Sequence, residues 1–506
     1  MSQVGAASIS VGGKTRYRTQ FSYKGSAAAQ RFTLRMGFAL ALGATLTGCA
    51  VGPKYHRPTV NLQPFHNAPS IETRTSSLSA PPLDQWWTGF HDPELTRIVK
   101  RALDENLDLA AAMTRVQQAR AAAQGAGAQR MPSGNLNAST TTLYQSTESM
   151  TGRLAAHMPG YDRHQNYYDL GFIASWETDL FGGLKKGAQA ATAEAQAAEA
   201  LHTGTRITVA AEAADAYMQI RGARARLTFA KDQISTDKHL VELVQQRRDA
   251  GIASDRELAQ AQALLSQARA TVPLITVSLE AQLNRLDVLM GAQPGTYAAE
   301  LTSVVDIPDV PEISGFGTPT DLLRRRPDII AAERMVAASN ARIGQGLAEY
   351  YPKLSLSGIV GSQALAPAHL FEQQGFQPVS VVGLRWRLFD FGTVAAEVKR
   401  ARGANAEALL QYRSSVLHAA EDVEDAFSLL VQSENRRNEI LREIAELQRV
   451  RDLSEESYAA GVIGLTDVLD ADRQLLAAKD DLAVARESAA RAAIGSYRAL
   501  GGGWLP

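Results

Sequence analysis

The sequence predicts a mainly α-helical chain with a small transmembrane β part, built from two copies of one helix-hairpin unit. Two long stretches, 185–249 and 393–459, contain no proline. The second would form one helix roughly 100 Å long at 1.5 Å per residue. Segments of alternating polar and apolar residues precede each stretch. A soluble globular domain rarely needs helices of that length.

The two halves of the chain carry matching landmarks in the same order. Ala250-Gly251 matches Ala460-Gly461, and residues 176–182 match 386–392 at the same offset. A repeat of this length indicates internal pseudosymmetry and not a solenoid. We therefore divide the chain into an N-terminal extension with signal peptide (1–48), an extended strap (49–91), a first repeat (92–290), a Pro/Gly-rich connector (291–319), a second repeat (320–500) and a C-terminal tail (501–506).

Composition excludes several classes of function. The formal net charge is -1, so there is no bulk electrostatic footprint for nucleic acid. The sequence shows no HExxH, Walker or GxGxxG fingerprint, and no Ser/His/Asp set can be argued from context. We therefore predict no catalytic residue, no metal site and no cofactor beyond a covalent lipid, and we expect a protein that is not an enzyme.

The single cysteine, Cys49, is predicted to carry that lipid. Arg31 and Arg35 precede an apolar run, 36–46, that is too short to span a bilayer as a helix. The run ends in Leu46-Thr47-Gly48-Cys49, which resembles the bacterial lipobox, in which the thiol is acylated. The alternative is an isolated buried cysteine. The sequence leaves open whether residues 1–30 are an extension or follow from the choice of start site.

Two elements should follow the lipidated cysteine. Residues 50–82 are rich in proline and polar side chains, which favours an extended strap over a packed element. Asp92 and Pro93 then have the residue types of a helix N-cap and first helical position. We expect that helix to continue to about Arg130.

Four segments alternate with the period of a β-strand. In each, one face is apolar and the other is mostly polar, and Trp or Tyr lies near strand ends. An ordinary water-facing antiparallel sheet is the alternative, but the lengths approach the 9 to 11 residues of a tilted transmembrane strand. Four strands cannot close a barrel, and lipid does not tolerate an open sheet edge. Several chains must therefore contribute strands to one barrel, and three chains would give twelve strands. The segments are 136–144, 167–176, 354–361 and 379–388.

Each long helix should turn back at a glycine. Gly251 precedes Ser254-Asp255-Arg256-Glu257, a capping-box pattern that starts the returning helix. Leucine and valine then recur every seven residues, from Leu258 to Leu286, which predicts left-handed coiled packing. Pro273 should bend this helix midway.

Several motifs, in this order, resemble those of the TolC-type outer-membrane efflux family, in particular the lipoprotein branch (NodT/OprM-like) that serves RND-type pumps. The resemblance implies a homotrimer with a 12-stranded β-barrel in the outer membrane and an α-helical tunnel in the periplasm. It also implies docking on a periplasmic adaptor (membrane fusion protein) and an inner-membrane RND-type transporter that drives drug efflux. The motifs are Trp86-Trp87, Arg325 to Arg334, Leu388 to Gly392, Ala460 to Arg473 and Leu500 to Trp504.

The resemblance places a periplasmic gate at Asp467, Asp470 and Tyr458. Asp467 and Asp470 are three apart on one helix face, and a threefold ring of such carboxylates would repel one another and attract cations. The alternative is a pair of helix-end acids stabilised by the macrodipole. Tyr458 matches a position that helps to hold the tip closed, although an aromatic packed on a neighbouring helix is an equal alternative. Glu257, at the matching first-copy position, is explained by its capping box.

Further sites are expected at the two turns and in the barrel. We predict that the adaptor docks on exposed tip residues, although turn chemistry alone would also favour glycine there. Arg385 and Arg387 should face the barrel lumen, where charge is permitted. The predicted docking residues are Gly251, Ile252, Gly461, Val462 and Gly464.

Two other classes of function compete with an efflux channel. A periplasmic coiled-coil lipoprotein would share the lipobox and the helices but would not need four amphipathic strands. A tunnel for protein (type I) secretion is also compatible with the sequence, because the helices of a tunnel carry no motif that identifies what passes through it. The identity of the exported substrate is not legible in the sequence.

Overall fold

The computed structural model describes residues 50–74, 76, 78–302, 306–314 and 317–505, so the predicted signal segment and Cys49 lie outside the described residues. The residues from Ala50 onward form one unit. The helices are α1 (Ala68–Glu72), α2 (Pro93–Glu105), α3 (Leu107–Ala128), α4 (Met150–Ala155), α5 (Gly183–Asp249), α6 (Asp255–Leu289), α7 (Pro319–Arg325), α8 (Pro327–Ala348), α9 (Thr393–Ala459) and α10 (Leu465–Ala499). The strands are β1 (Ser133–Tyr144), β2 (His164–Thr178), β3 (Lys353–Ala364) and β4 (Val379–Arg385).

The long helices predicted from the absence of proline are confirmed. Helices α5 and α9 each contain 67 residues, and their returning partners α6 and α10 each contain 35. Ser254 and Glu257 form the predicted capping box at the start of α6. Helix α6 runs through Pro273 as one element. In the part of the chain that the structure describes, no helix is long and apolar enough to cross a membrane.

The first predicted helix is two helices, so the expectation of one element reaching Arg130 was wrong. Asp92 does cap α2, accepting hydrogen bonds from the backbone N–H groups of Glu94 and Leu95 at 2.9 and 3.1 Å. The break comes at Asn106, whose side-chain oxygen accepts from the Leu109 N–H at 2.9 Å. An asparagine that caps the next helix in this way competes with helix continuation. The sequence prediction overlooked this cap.

The four strands form one antiparallel sheet in the order β1-β2-β3-β4. Strand β2 is the longest, with 15 residues, and pairs along its length with β1 and β3. The outer edges of β1 and β4 have no partner strand within the described chain. One face is apolar and largely exposed in the single chain. Leu136, Phe172 and Val360 form one cross-strand row on this face, and Trp176, Leu356 and Val382 form another.

Strand β4 is shorter than predicted, because it ends at Arg385 and not at Leu388. The indole N–H of Trp386 donates to the Tyr350 carbonyl oxygen at 3.0 Å. That bond draws the chain toward the end of α8. Alternation of polar and apolar residues continues past Arg385, which is why the pattern extended the strand too far.

The strap is packed against the body, although the sequence favoured an extended segment over a packed one. It contains the short helix α1, and Phe65 is buried edge-on against Phe427 at 6.0 Å between ring centroids. Arg74 forms a buried ion pair with Glu434 at 2.6 Å. The strap is therefore held to α9 by apolar burial and charge together.

The Trp86-Trp87 motif and the glycine motif near the C-terminus meet in the core. Trp86 is fully buried and stacks on Tyr497 at 5.4 Å. A Cβ atom at Gly502 would lie 2.9 Å from the Leu83 carbonyl oxygen, so glycine permits this close approach. The backbone N–H of Gly503 donates to the same oxygen at 2.9 Å.

Candidate functional site

The two helical hairpins end in matching turns. Gly251 follows α5 with φ +75°, and Gly461 follows α9 with φ +73°. The N–H of Val462 donates to the Ser457 carbonyl at 2.9 Å, and Ile252 bonds back to Arg247 in the same way at 2.8 Å. These backward bonds and the left-handed glycine form a Schellman-type helix end. Both positions have open space where a Cβ would stand.

Each turn presents apolar side chains to solvent. Ile252 is 67% exposed and Val462 is 76% exposed. Gly251, Gly461 and Gly464 are also exposed. The predicted docking residues therefore lie at the ends of the hairpins as small, accessible surfaces.

Beneath the turns, a separate apolar cluster joins the hairpin of one repeat to that of the other. Its buried members come from α5, α6, the end of α9 and the start of α10. The tips are thus fastened to each other within one chain. The cluster consists of Leu240, Val244, Ala261, Tyr458, Leu465 and Val468.

Tyr458 is part of this cluster and is only 6% exposed. The guanidinium of Arg247, on the other hairpin, lies 4.3 Å from the centroid of its ring. Burial raises the pKa of the Tyr458 hydroxyl, and the Arg247 charge opposes that shift. Within one chain, Tyr458 therefore links the two hairpins by packing and a cation–π contact.

Asp467 caps the start of α10, a role that the sequence analysis assigned only to Glu257, at the matching position of the first repeat. Its carboxylate accepts a hydrogen bond from the Gly464 backbone N–H at 3.2 Å. Glu257 does the same for the Ser254 N–H at 2.6 Å, which lowers the pKa of Glu257. Because Gly464 has no side chain to complete a capping box, the sequence lacks the capping-box pattern here, and the cap by Asp467 was not predicted.

Asp470 lies one turn further along α10 and is engaged by neighbours on its own helix. Arg473 donates to its Oδ1 at 2.5 Å, and the Gln474 side chain donates to its Oδ2 at 2.6 Å. Its side chain keeps 47% exposure. The carboxylate therefore remains accessible at the tip while its charge is partly balanced.

The sequence prediction missed a second acidic cluster, buried further from the tips. Asp237 on α5 is 1% exposed, and its Oδ2 lacks a hydrogen-bond partner among the described residues. Its other oxygen accepts from Gln233 at 2.6 Å. Burial, with the nearby Asp472 carboxylate, raises the pKa of Asp237 to about 6. Asp472 is ion-paired to Arg451 at 3.1 Å, which opposes the rise in its pKa caused by burial.

Asp237 should make the stability of the protein depend on pH. Its folded-state pKa of about 6 lies above the ordinary 3.8, so the folded protein keeps the proton that the unfolded chain has lost. Stability is then highest below about pH 4 for this group, and falls as pH rises through about 6. Asp237→Asn should raise the free energy of unfolding above pH 7 by about 1–3 kcal/mol. Thermal unfolding followed between about pH 4 and 7 checks this.

Asp232→Asn is the matched control, because Asp232 lies on the same helix and is exposed. We expect it to leave both the unfolding midpoint and its pH dependence unchanged. If Asp237→Asn retained the wild-type slope between about pH 4 and 6, the slope would belong to other groups and the prediction would be wrong.

The predicted lumen residues lie at the end of the sheet. Arg385 is the last residue of β4 and is paired in register with Lys353, on the face that also carries Asp169 and Gln363. Gln363 donates to Asp169 there at 2.7 Å. Arg387 lies beyond β4 and forms an ion pair with Glu349 at 3.5 Å. The sheet therefore has a polar face opposite its apolar one.

Comparison with known proteins identifies chains of the same kind. The family model described as outer membrane efflux protein matches residues 98–292 and 318–502. The pyoverdine export outer membrane protein OpmQ of Pseudomonas aeruginosa is 32% identical over 83% of this chain and 87% of that protein. Outer membrane protein OprJ of the same species is 30% identical over 92% of this chain and 95% of its own. The solved outer-membrane channel OprN, 31% identical, superposes with a TM-score of 0.82 over 90% of this chain and 100% of that chain.

Proposed function

The chain belongs to the outer membrane efflux protein family and is an outer-membrane efflux channel, and from this premise we propose that three copies form one continuous duct across the outer membrane and the periplasm. The observation that carries the proposal is the sheet. It combines an exposed apolar face, a polar opposite face and two unpaired edges within the described chain. Lipid tolerates such a sheet only when its edges are closed by other strands.

In this assembly β1 of one copy pairs with β4 of the next, and three sheets close a barrel of twelve strands. Leu136, Phe172 and Val382 then face lipid, while Asp169 and Arg385 line an aqueous lumen. Arg387, next to Glu349, lies at the periplasmic rim of that lumen. The hairpins from the three copies continue the lumen as a helical tunnel.

We further propose that the duct is anchored and connected at both ends. Cys49, acylated after signal cleavage, fixes the start of the strap in the outer membrane. At the far end, the exposed turns at Ile252 and Val462 receive the helical hairpin of a periplasmic adaptor, which links the duct to an inner-membrane RND-type transporter. The cargo is a drug or another toxic small molecule, and the transporter supplies the energy.

The gate of the duct is proposed at the carboxylates near the α10 start. Symmetry brings Asp467 and Asp470 of three copies around the axis, where their charges attract cations and repel each other. Asp467→Asn with Asp470→Asn removes these charges while an amide oxygen can still cap Gly464. We expect higher single-channel conductance and weaker cation selectivity in planar bilayers.

Glu257→Gln is the control for the gate, since it neutralises the matching first-copy cap. It should leave conductance and selectivity at wild-type values. Unchanged conductance and cation selectivity in the Asp467/Asp470 double variant would remove the gate from this position.

A deletion strain tests the function as a whole. We expect it to become sensitive to several antimicrobials, to recover on complementation, and to keep a normal profile of secreted proteins. A strain with unaltered sensitivity but missing secreted proteins would instead favour the type I secretion tunnel.

A further inference from the structure

A cavity of about 570 Å³ opens where the strap crosses the start of α5 and the middle of α8. Its lining is strongly basic, and no described residue that lines it is acidic. Four alanine side chains form the apolar part of the cavity wall. The cationic side chains are Lys54, Arg130, Lys185, Lys186 and Arg334.

Most of this positive charge is not balanced within the described part of the chain. Arg334 is neutralised by Glu333 and also contacts Gln196 at 3.2 Å. Lys186 donates to the Pro53 carbonyl oxygen at 3.2 Å. Neither Lys186 nor the three remaining cations form an ion pair with a described carboxylate. Like charges that share a cavity repel one another, so a bound anion would stabilise the site.

The position of the cavity indicates the source of that anion. The indole N–H of Trp176 donates to the Arg130 carbonyl at 2.9 Å, at the end of the sheet where β1 begins and β2 ends. Trp386 makes the equivalent bond to Tyr350 in the second repeat. Tryptophan side chains of this kind are enriched at the level of lipid headgroups. Lys185 and Lys186 begin α5 just after β2 ends, so they lie at the same level.

We propose that this cavity binds the phosphate of an anionic phospholipid headgroup in the periplasmic leaflet of the outer membrane. The inference rests on the proposed function, because it requires the sheet to cross that membrane. Lys54, Arg130, Lys185 and Lys186 surround the phosphate, and the alanine-lined wall accepts the glycerol end of the acyl chains. A bound lipid would bridge the strap to α5 and α8, and it would therefore fix the start of the strap as well.

Native mass spectrometry of the detergent-purified protein tests the site, with phosphatidylglycerol and phosphatidylcholine of identical acyl chains as probes. Wild type should retain phosphatidylglycerol preferentially. Lys185→Gln with Lys186→Gln should reduce that retention about tenfold and leave phosphatidylcholine unchanged. Lys231→Gln with Lys238→Gln removes the same charge from exposed positions further along α5 and should retain phosphatidylglycerol as wild type does.

Two results would overturn this inference but not the proposed function. The first is equal retention of both lipids by a wild-type protein that forms normal channels in planar bilayers. The second is full displacement of phosphatidylglycerol by inorganic phosphate at the same molar ratio. The second would identify a free-anion site. A protein that forms no channel in the same bilayers would overturn the proposed function and this inference with it.

Discussion

Gly461→Trp should abolish drug resistance while the protein still assembles into the trimer that we propose in the outer membrane. The position is exposed, and a Cβ there meets open space. A side chain in the left-handed region costs about 1–2 kcal/mol of strain, too little to unfold the protein. The indole would instead cover the surface on which we propose that the adaptor docks. Growth in antimicrobials and heat-stable trimer on gels measure the two effects separately.

Gly295→Trp separates docking from backbone strain. Gly295 also has positive φ, at +94°, and equally open surroundings, but it lies in the connector between the repeats. We expect this variant to confer wild-type resistance. Loss of the trimer in Gly461→Trp would show that the residue serves turn geometry, and equal loss of resistance in both variants would point to strain.

Arg221→Met should cost about 3–5 kcal/mol of stability, the largest structural effect that we predict. Arg221 is 5% exposed and lies 3.2 Å from the Asp92 carboxylate. It also donates to the Asp306 carbonyl at 2.6 Å and to the Tyr217 hydroxyl. Removing the guanidinium leaves a buried carboxylate that still has to cap α2. A clear fall in the thermal unfolding midpoint, followed by helical circular dichroism, is the expected result.

Arg226→Met provides the comparison on the same helix. Arg226 is also paired with a carboxylate, Asp480, at 2.7 Å, but its side chain is 33% exposed. Ion pairs that water reaches contribute about 0–1 kcal/mol, so this variant should unfold close to the wild-type midpoint. Equal destabilisation by the two substitutions would mean that burial of the Arg221 pair is not what matters.

The features that could be predicted from the sequence are those fixed by local chemistry and by repetition. A run without proline set the extent of α5 and α9 to within a few residues, and glycine located both turns. Alternation found all four strands. These patterns succeed because helix and strand periods are properties of the backbone and persist over long segments.

Features that depend on tertiary contacts could not be predicted from these local patterns. The packing of the strap requires Phe427 and Glu434, which are distant in sequence. The cap by Asp467 was concealed because its partner is a glycine backbone group. The buried position of Asp237 was also missed, because a charged residue in a long polar helix is normally expected to face water.

The large core contains α5 residues up to Ile220, a small cluster with Ala223, Ala230 and Ile275 continues along the helix, and the tip cluster begins at Leu240. From Ile220 to Asp249 the helix extends roughly 40 Å at 1.5 Å per residue. If the packed hairpins rotate together by about 5° at the core, their tips move by roughly 3–4 Å. Small rotations near the core are thereby enlarged at the tips, where we propose that the gate lies.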